Sequence, residues 1–99
     1  MITVIATLKV KSGQEDALIA GIRKMIDHVQ ANEPGTITYV LNRSTADPTT
    51  FVVYEVYADQ AAFATHGASP AMLEFFGLAG SILDGRPDIA MYEEVARKR

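Results

Sequence analysis

Glu55 and His66 are the two side chains of this sequence whose types and spacing best suit proton-transfer chemistry. Glu55 interrupts a run of β-branched and aromatic residues, and His66 follows an alanine-rich run that favours a helix. Free histidine has a pKa of about 6.5, and burial tends to raise the pKa of a carboxyl group. The pair therefore indicates general acid or base chemistry near neutral pH.

The elements around this pair decide whether the two side chains can meet. A period of two in the strand predicts one face made of Phe51, Val53, Glu55 and Tyr57 and another made of Val52, Tyr54, Val56 and Ala58. Asp59 is suited to cap a short helix that carries His66, and Ser69-Pro70 is suited to begin a further helix. Glu55 and His66 can cooperate only if the Glu55 row faces the helices. The alternation of residues along the strand does not by itself decide which row does so.

The first half of the chain predicts a strand, a long helix and a second strand. Ile2 to Val10 has one strongly apolar face. Ser12 and Glu15 fit a capping box, followed by a helical apolar stripe to about Ala31. His28 lies beside that stripe, on a face we expect to be solvated. Asn32-Glu33-Pro34-Gly35 ends the helix. Thr36 to Ser44 then predicts a strand with one face made of Ile37, Tyr39, Leu41 and Arg43.

The second half predicts a hairpin, two helical segments and a last strand. Ala46 to Thr49 form a turn into the Glu55 strand. Pro70 to about Leu83 repeats an apolar face, and Gly85 is suited to a left-handed cap. Ile89 to Val95 predicts the final strand. This β-α-β-β-α-β order predicts an α+β, ferredoxin-like fold with a four-stranded antiparallel sheet and the helices on one face.

Apolar residues on both faces of the Glu55 strand predict a homodimer. The helices cover one face of the sheet, so a second copy of the chain is the available cover for the other. The 99 residues, 48% of them hydrophobic, predict a single domain spanning 1–99. No apolar run has the length of a membrane span, and the first ten residues lack the order of a signal peptide. A cytoplasmic protein without a membrane partner is therefore expected.

Composition excludes several classes of site. The net charge of −3 and the lack of a basic run before the terminal Arg97-Lys98-Arg99 argue against nucleic acid as a partner. The sequence has no cysteine, which removes thiolate catalysis and cysteine-based metal sites. His28 and His66 lie on different segments without metal-ligand spacing, and no nucleotide-binding glycine motif is present. We therefore expect no metal and no nucleotide cofactor.

The order of residues around Glu55 and His66 resembles the antibiotic biosynthesis monooxygenase (ABM) family. The matching positions are Glu55, Tyr57, Asp59, Ala62, Phe63, His66 and Ser69. The opening strand, Lys11-Ser12-Gly13, the long helix and Glu33-Pro34-Gly35 extend the resemblance over most of the chain. The resemblance implies a dimeric α+β barrel in which two sheets pack face to face, in agreement with the two-sided strand.

The resemblance also implies a pocket between sheet and helices in which phenolic or quinol-like aromatics react with molecular oxygen, without metal or flavin. The resemblance therefore favours the Glu55 row as the one that faces the helices. Glu55 and His66 would serve in this pocket as the catalytic base or as the group that stabilises the anion. Tyr39 and Tyr57 would hydrogen-bond a substrate oxygen. The remaining substrate-binding wall would be Phe63, Met72, Phe75 and Phe76.

Structural explanations compete with these roles. Glu55 could instead pair with Lys9, with Arg43 or with an arginine of the partner. His66 could be solvated or could cap its helix. The two tyrosines could belong to the core or the dimer interface, and the Phe75-Phe76 pair could belong to the core. The haem-degrading branch of the superfamily fits poorly, because its strand asparagine would fall near Thr7 and its tryptophan near His66.

Three functions are consistent with the sequence. The leading one is a cofactor-independent monooxygenase of a small aromatic. The second is an isomerase of a small hydroxycarbonyl compound, which would use the same acid and base. The third is a non-catalytic, ligand-binding or stress-associated dimer. Apolar cavity walls with one or two polar groups would favour the first, a cationic cavity mouth the second, and a filled core the third.

Overall fold

The computed structural model describes residues 1–98, and this part of the chain contains four strands and three helices. They are β1 (Ile2–Lys9), α1 (Glu15–Asn32), β2 (Thr36–Arg43), β3 (Thr50–Tyr57), α2 (Gln60–Gly67), α3 (Pro70–Ile82) and β4 (Asp88–Glu93). The predicted order is confirmed, with two successive helices as the second helical segment. Within residues 1–98, the helices are all too short or too polar to cross a membrane.

The strands form one antiparallel sheet in the order β2-β3-β1-β4, the arrangement of a ferredoxin-like α+β fold. One face of β3 is buried, and its members are Phe51, Val53, Glu55 and Tyr57. The main core joins that face to the apolar stripe of α1, formed by Leu18, Ile22, Met25 and Val29. The Glu55 row therefore faces the helices, which cover this side of the sheet. On the opposite face, Tyr54 remains 40% exposed.

The caps of α2 and α3 follow the sequence prediction. The Asp59 carboxylate accepts a hydrogen bond from the backbone N–H of Ala62, and the Ser69 hydroxyl accepts one from that of Met72. Pro70 occupies the start of α3. Gly85 has a φ of 89°, the left-handed conformation expected after the helix. The Asp59 cap fixes the start of α2 at Gln60, so that His66 lies in the last turn of this helix.

Three local predictions were wrong. The Ser12 capping box does not form, because α1 begins at Glu15, whose carboxylate instead accepts from the backbone N–H of Gly13 at 2.7 Å. Ile37 does not share the face of Tyr39, since a β-bulge between Thr36 and Thr38 adds one residue to β2 and leaves Ile37 exposed. The last strand is shorter than expected and ends at Glu93.

The turn between α1 and β2 packs directly against α2. The carbonyl of Gly35 accepts a hydrogen bond from the backbone N–H of Ala58 at 2.9 Å. A Cβ at position 35 would lie only 2.7 Å from the Cβ of Ala62, so only glycine permits this approach. His66 lies four residues after Ala62 and therefore on the same side of α2. The close approach at Gly35 thus brings His66 to the turn.

Candidate active site

A cavity of about 370 Å³ lies between the helix-covered face of the sheet and helices α2 and α3. The sequence-predicted residues that line it are Tyr39, Glu55, Phe63, His66, Met72, Phe75 and Phe76. Further apolar wall comes from the strands and α1, through Val4, Ala6, Leu8, Ile22, Val53 and Ile89. The tertiary structure therefore brings residues from all seven of the helices and strands in residues 1–98 together around one cavity.

Glu55 is a buried carboxyl group on this cavity, with 6% of its surface exposed. The hydroxyl of Tyr57 donates a hydrogen bond to its Oε1. Burial raises the pKa of Glu55 to about 7, against the opposing effect of the Tyr57 hydrogen bond and with a further rise from the negative charge of Glu33. Glu55 can therefore exchange a proton near neutral pH.

The alternative that Glu55 pairs with Lys9 or Arg43 is wrong. Lys9 forms an ion pair with Asp47 at the end of the hairpin. The guanidinium of Arg43 lies over the ring of Phe51, 4.9 Å from its centroid. Among residues 1–98, the hydrogen-bond partner of the Glu55 carboxyl is the Tyr57 hydroxyl. Within this part of the chain the carboxyl group is thus buried without a neutralising cation, and pairing with an arginine of the partner stays a prediction.

His66 is a buried imidazole, only 3% exposed, so the solvated alternative is wrong. Its ring is close to two tyrosine rings, with centroid distances of 5.2 Å to Tyr39 and 5.6 Å to Tyr57. Its Nδ1 is 2.9 Å from Oε1 of Glu33. The imidazole therefore packs against two aromatic rings and is held at Nδ1 by a carboxylate.

Glu33 is the polar residue of this region that the sequence interpretation missed. Its Oε1 also accepts a hydrogen bond from the Thr36 hydroxyl at 2.9 Å. Its buried Oε2 lies 3.0 Å from Nε2 of His28, without the alignment of a hydrogen bond. His28 is accordingly half-buried against Glu33, and its predicted solvated position is wrong. The available signal was an acidic side chain in the tight turn before β2.

The two tyrosines have different positions. Tyr39 lines the cavity as predicted, whereas Tyr57 is fully buried, hydrogen-bonds to Glu55 and is not part of the cavity wall. Burial, together with the negative charge of Glu55, raises the pKa of both hydroxyl groups. Both hydroxyls consequently remain protonated at neutral pH and act as hydrogen-bond donors. The Tyr39 hydroxyl can donate a hydrogen bond to a ligand, whereas the Tyr57 hydroxyl already donates its hydrogen bond to Glu55.

The apolar wall on the helix side combines core and exposed residues. Phe75 belongs to the core and also borders the cavity, while Phe76 is 55% exposed at its edge. The core alternative for this pair is therefore correct only for Phe75. Phe63 packs edge-on against Tyr57, with a centroid distance of 5.3 Å. The loop before β4 adds Arg86, an exposed cation that also borders the cavity.

No group of three or more potential metal ligands among residues 1–98 is arranged to hold a metal ion. Glu33, His28 and His66 are close in space, but Glu33 forms a hydrogen bond with His66 and lies 3.0 Å from Nε2 of His28 within the protein. What this arrangement can do chemically is bind a flat apolar molecule and move a proton to or from it.

The fold and the cavity define a class of small ferredoxin-like α+β proteins that enclose a cavity between sheet and helices. Residues 1–78 match the model of the family described as "Antibiotic biosynthesis monooxygenase". This match covers most of the chain, so the protein belongs to the antibiotic biosynthesis monooxygenase family. The resemblance and fold inferred from the sequence are confirmed, and membership supports a monooxygenase-like function in general terms.

Solved structures agree with this assignment. A protein from Caulobacter crescentus CB15, provisionally assigned as an antibiotic biosynthesis monooxygenase, is 30% identical, with a TM-score of 0.91 over 96% of this chain and 90% of that chain. Protein SO0527 from Shewanella oneidensis is 29% identical, with a TM-score of 0.85 over 92% of this chain and 87% of that one. A comparison with proteins of curated function found no match.

Proposed function

We propose that this protein is a cofactor-independent monooxygenase of a small phenolic or quinol-like aromatic. The observation that carries the proposal is a cavity of about 370 Å³ whose apolar walls enclose two buried proton-transfer groups, Glu55 and His66. Apolar walls with a few convergent polar groups are typical of sites for small molecules. The family assignment supports the same chemistry.

The reaction requires the substrate to supply its own electrons. A phenol loses its O–H proton to the protein, and the resulting electron-rich phenolate reduces molecular oxygen. One oxygen atom forms a bond to a ring carbon and becomes the second carbonyl oxygen of a quinone. The other oxygen leaves as water with the phenolic hydrogen and the hydrogen from the ring carbon. The substrate is oxidised, oxygen is reduced, and no external reductant is consumed.

The chain supplies binding, a proton acceptor and exclusion of water. His66, or Glu55 in its ionised form, takes the phenolic proton, and the Tyr39 hydroxyl donates a hydrogen bond to the phenolate oxygen. The aromatic side chains of α2 and α3 hold the ring and limit access of bulk water. Glu55 has a pKa of about 7, so both of its protonation states are available near neutral pH.

Oxygen consumption with a panel of hydroquinones and naphthols tests this proposal. We expect activity in the wild type and a loss of roughly a hundredfold or more in Glu55→Gln and His66→Ala, the usual size of a general acid-base contribution. Thr65→Ala is the matched control, because Thr65 is an exposed residue of α2 whose hydroxyl bonds only to the Ala61 carbonyl. Full activity in both site variants would show that these residues are not catalytic. No activity with any phenol would refute the chemistry.

Arg86 favours a second candidate function. This exposed cation at the edge of the cavity suits a phosphorylated substrate, and the same acid and base could then isomerise a small phosphorylated hydroxycarbonyl compound. Such a reaction consumes no oxygen. Proton exchange and isomer ratios of a phosphorylated ketose analogue, followed by NMR with wild type and Arg86→Gln, separate the two candidates. Isomerisation that depends on Arg86 and needs no oxygen would favour the second.

We further propose that the protein acts as a homodimer joined through the open face of the sheet. The strand register places Val40, Tyr54, Ile5 and Ala90 side by side across this face. Val40 and Tyr54 are 44% and 40% exposed, so an apolar row crosses the sheet in contact with solvent. Sedimentation should show a dimer at micromolar concentration, and Tyr54→Glu should dissociate it. A folded wild-type monomer would contradict this proposal.

A further inference from the structure

Glu33 is a buried carboxylate for which the proposed chemistry has no role. Only 6% of the residue is exposed, although it lies in the turn between α1 and β2. Burying a carboxylate is costly unless donors compensate it, and here the donors are side chains of Thr36 and His66. Because one of them is an imidazole on the wall of the cavity, Glu33 is placed to influence the site without touching a ligand.

The hydrogen bond between Glu33 and His66 determines which imidazole nitrogen is free. An ionised carboxylate can only accept, so Nδ1 of His66, 2.9 Å from Oε1, carries the hydrogen. In the neutral imidazole, the lone pair is then on Nε2. Within residues 1–98, Nε2 has no hydrogen-bond partner, although His66 lines the cavity. The nitrogen able to accept a proton is therefore the one not engaged by the protein.

We propose that Glu33 is a positioning residue that holds His66 in the Nδ1–H tautomer and leaves Nε2 to accept the substrate proton. The role in turnover rests on the proposed function, whereas the tautomer does not. When Nε2 takes the phenolic proton, the imidazole becomes a cation, and the adjacent Glu33 carboxylate stabilises that charge. The proton later leaves Nε2 for the oxygen atom that departs as water.

The surrounding structure holds this pair in a fixed geometry. The Glu33 backbone is fixed by hydrogen bonds from its N–H to the Val29 carbonyl and from the Thr36 N–H to its own carbonyl. The Thr36 hydroxyl fixes the carboxylate. His28 approaches the other carboxylate oxygen from α1. The carboxylate that contacts His66 is therefore held in position by residues of α1 and β2 before any ligand binds.

Two substitutions of Glu33 separate its effect as a hydrogen-bond acceptor from the effect of its negative charge. Glu33→Gln keeps a carbonyl oxygen that can accept from Nδ1 but removes the negative charge. Glu33→Leu removes both the acceptor and the charge at similar size. His28→Gln is the matched tautomer control, because it changes the contact at the opposite carboxylate oxygen and leaves His66 as the remaining histidine in the spectrum.

The direct measurement is two-bond ¹⁵N–¹H NMR of protein labelled at histidine nitrogen. We expect the Nδ1–H tautomer for His66 in the wild type, in His28→Gln and in Glu33→Gln, and a mixture or the Nε2–H tautomer in Glu33→Leu. An Nε2–H tautomer in the wild type overturns the proposal, and so does an unchanged tautomer in a folded Glu33→Leu. If Glu33→Leu does not fold, the wild-type spectrum and the kinetics of Glu33→Gln decide.

The kinetic measurement separates positioning from binding. We expect Glu33→Gln to lower kcat by roughly tenfold or more, with a change of less than about threefold in the Kd of 4-nitrocatechol, read from its visible absorbance. Thr65→Ala should match the wild type in both. A wild-type kcat in Glu33→Gln overturns the charge-stabilising role. If the wild type oxidises no phenol, the proposed function fails, and the NMR result alone supports or overturns the positioning role.

Discussion

Glu55→Gln should stabilise the fold above neutral pH while it reduces activity. The carboxyl group is buried, accepts a hydrogen bond from Tyr57 and has no cationic partner among residues 1–98. Glutamine has the same size and keeps an oxygen that can accept from the Tyr57 hydroxyl. The substitution therefore removes the cost of burying a charge and retains the packing.

The magnitude follows from the change in pKa. Folding raises the pKa of Glu55 from 4.5 to about 7, so the folded protein retains a proton that the unfolded chain releases between these two values. Stability contributed by this group therefore falls as pH rises from about 4.5 to about 7 and is constant above that range. At 1.36 kcal/mol per pKa unit, the loss amounts to about 3 kcal/mol. Below about pH 4.5 the wild type and the variant should have similar stability.

Urea denaturation of both proteins at pH 4, 5, 6, 7 and 8, at one fixed protein concentration, measures this effect. Taking the difference between variant and wild type at each pH cancels the other titrating groups, and the fixed concentration cancels mass action in a dimer. The difference should grow by about 3 kcal/mol across the series. A difference that does not change with pH, or a variant less stable than the wild type at pH 8, would refute the reasoning.

Three further predictions concern the framework of the site. Gly35→Ala should lower the free energy of unfolding by about 1–3 kcal/mol in urea denaturation and should lower turnover, because the added Cβ would collide with Ala62. Gly77→Ala is the control. Its Cβ would meet nothing within 4 Å, so this variant should show no loss. Ser69→Ala should cost about 1 kcal/mol of unfolding free energy by removing the cap at Met72, and an unchanged value would show that the cap is dispensable. Elemental analysis and a visible spectrum should find no stoichiometric metal, flavin or haem; one bound per chain would contradict the cofactor-free mechanism.

Local sequence signals were sufficient for most of the fold. The apolar stripe of α1, the capping residues Asp59 and Ser69, and the turn at Gly85 each act within a few residues of the chain. Short-range patterns therefore predicted them correctly. The bulge at Ile37 was missed because its cause lies in the pairing of β2 with β3, which the sequence of β2 alone does not specify. The Ser12 capping box does not form, because the Glu15 carboxylate accepts a hydrogen bond from the backbone N–H of Gly13 instead.

The candidate site was only partly accessible from the sequence. Glu55 and His66 lie close along the chain, and their types alone indicated proton transfer. Glu33 is far from His66 in sequence, and its pattern indicated a turn shared with the family but no role in the site. Its contact with His66 depends on the packing of that turn against α2 at Gly35, a tertiary interaction with no local pattern.

The sequence by itself determined the elements, their order and the family, because strand alternation, helix capping and turn residues are local properties of the chain. The alternation of β3 left open which of its faces meets the helices, since both of its rows are apolar enough to be buried; the family resemblance favoured the Glu55 row, and the tertiary structure decided it. That choice placed Glu55 on the cavity beside His66. The tertiary structure also determined the environment of each titratable group, because burial and hydrogen-bond partners arise from residues that are distant in the chain and adjacent in space.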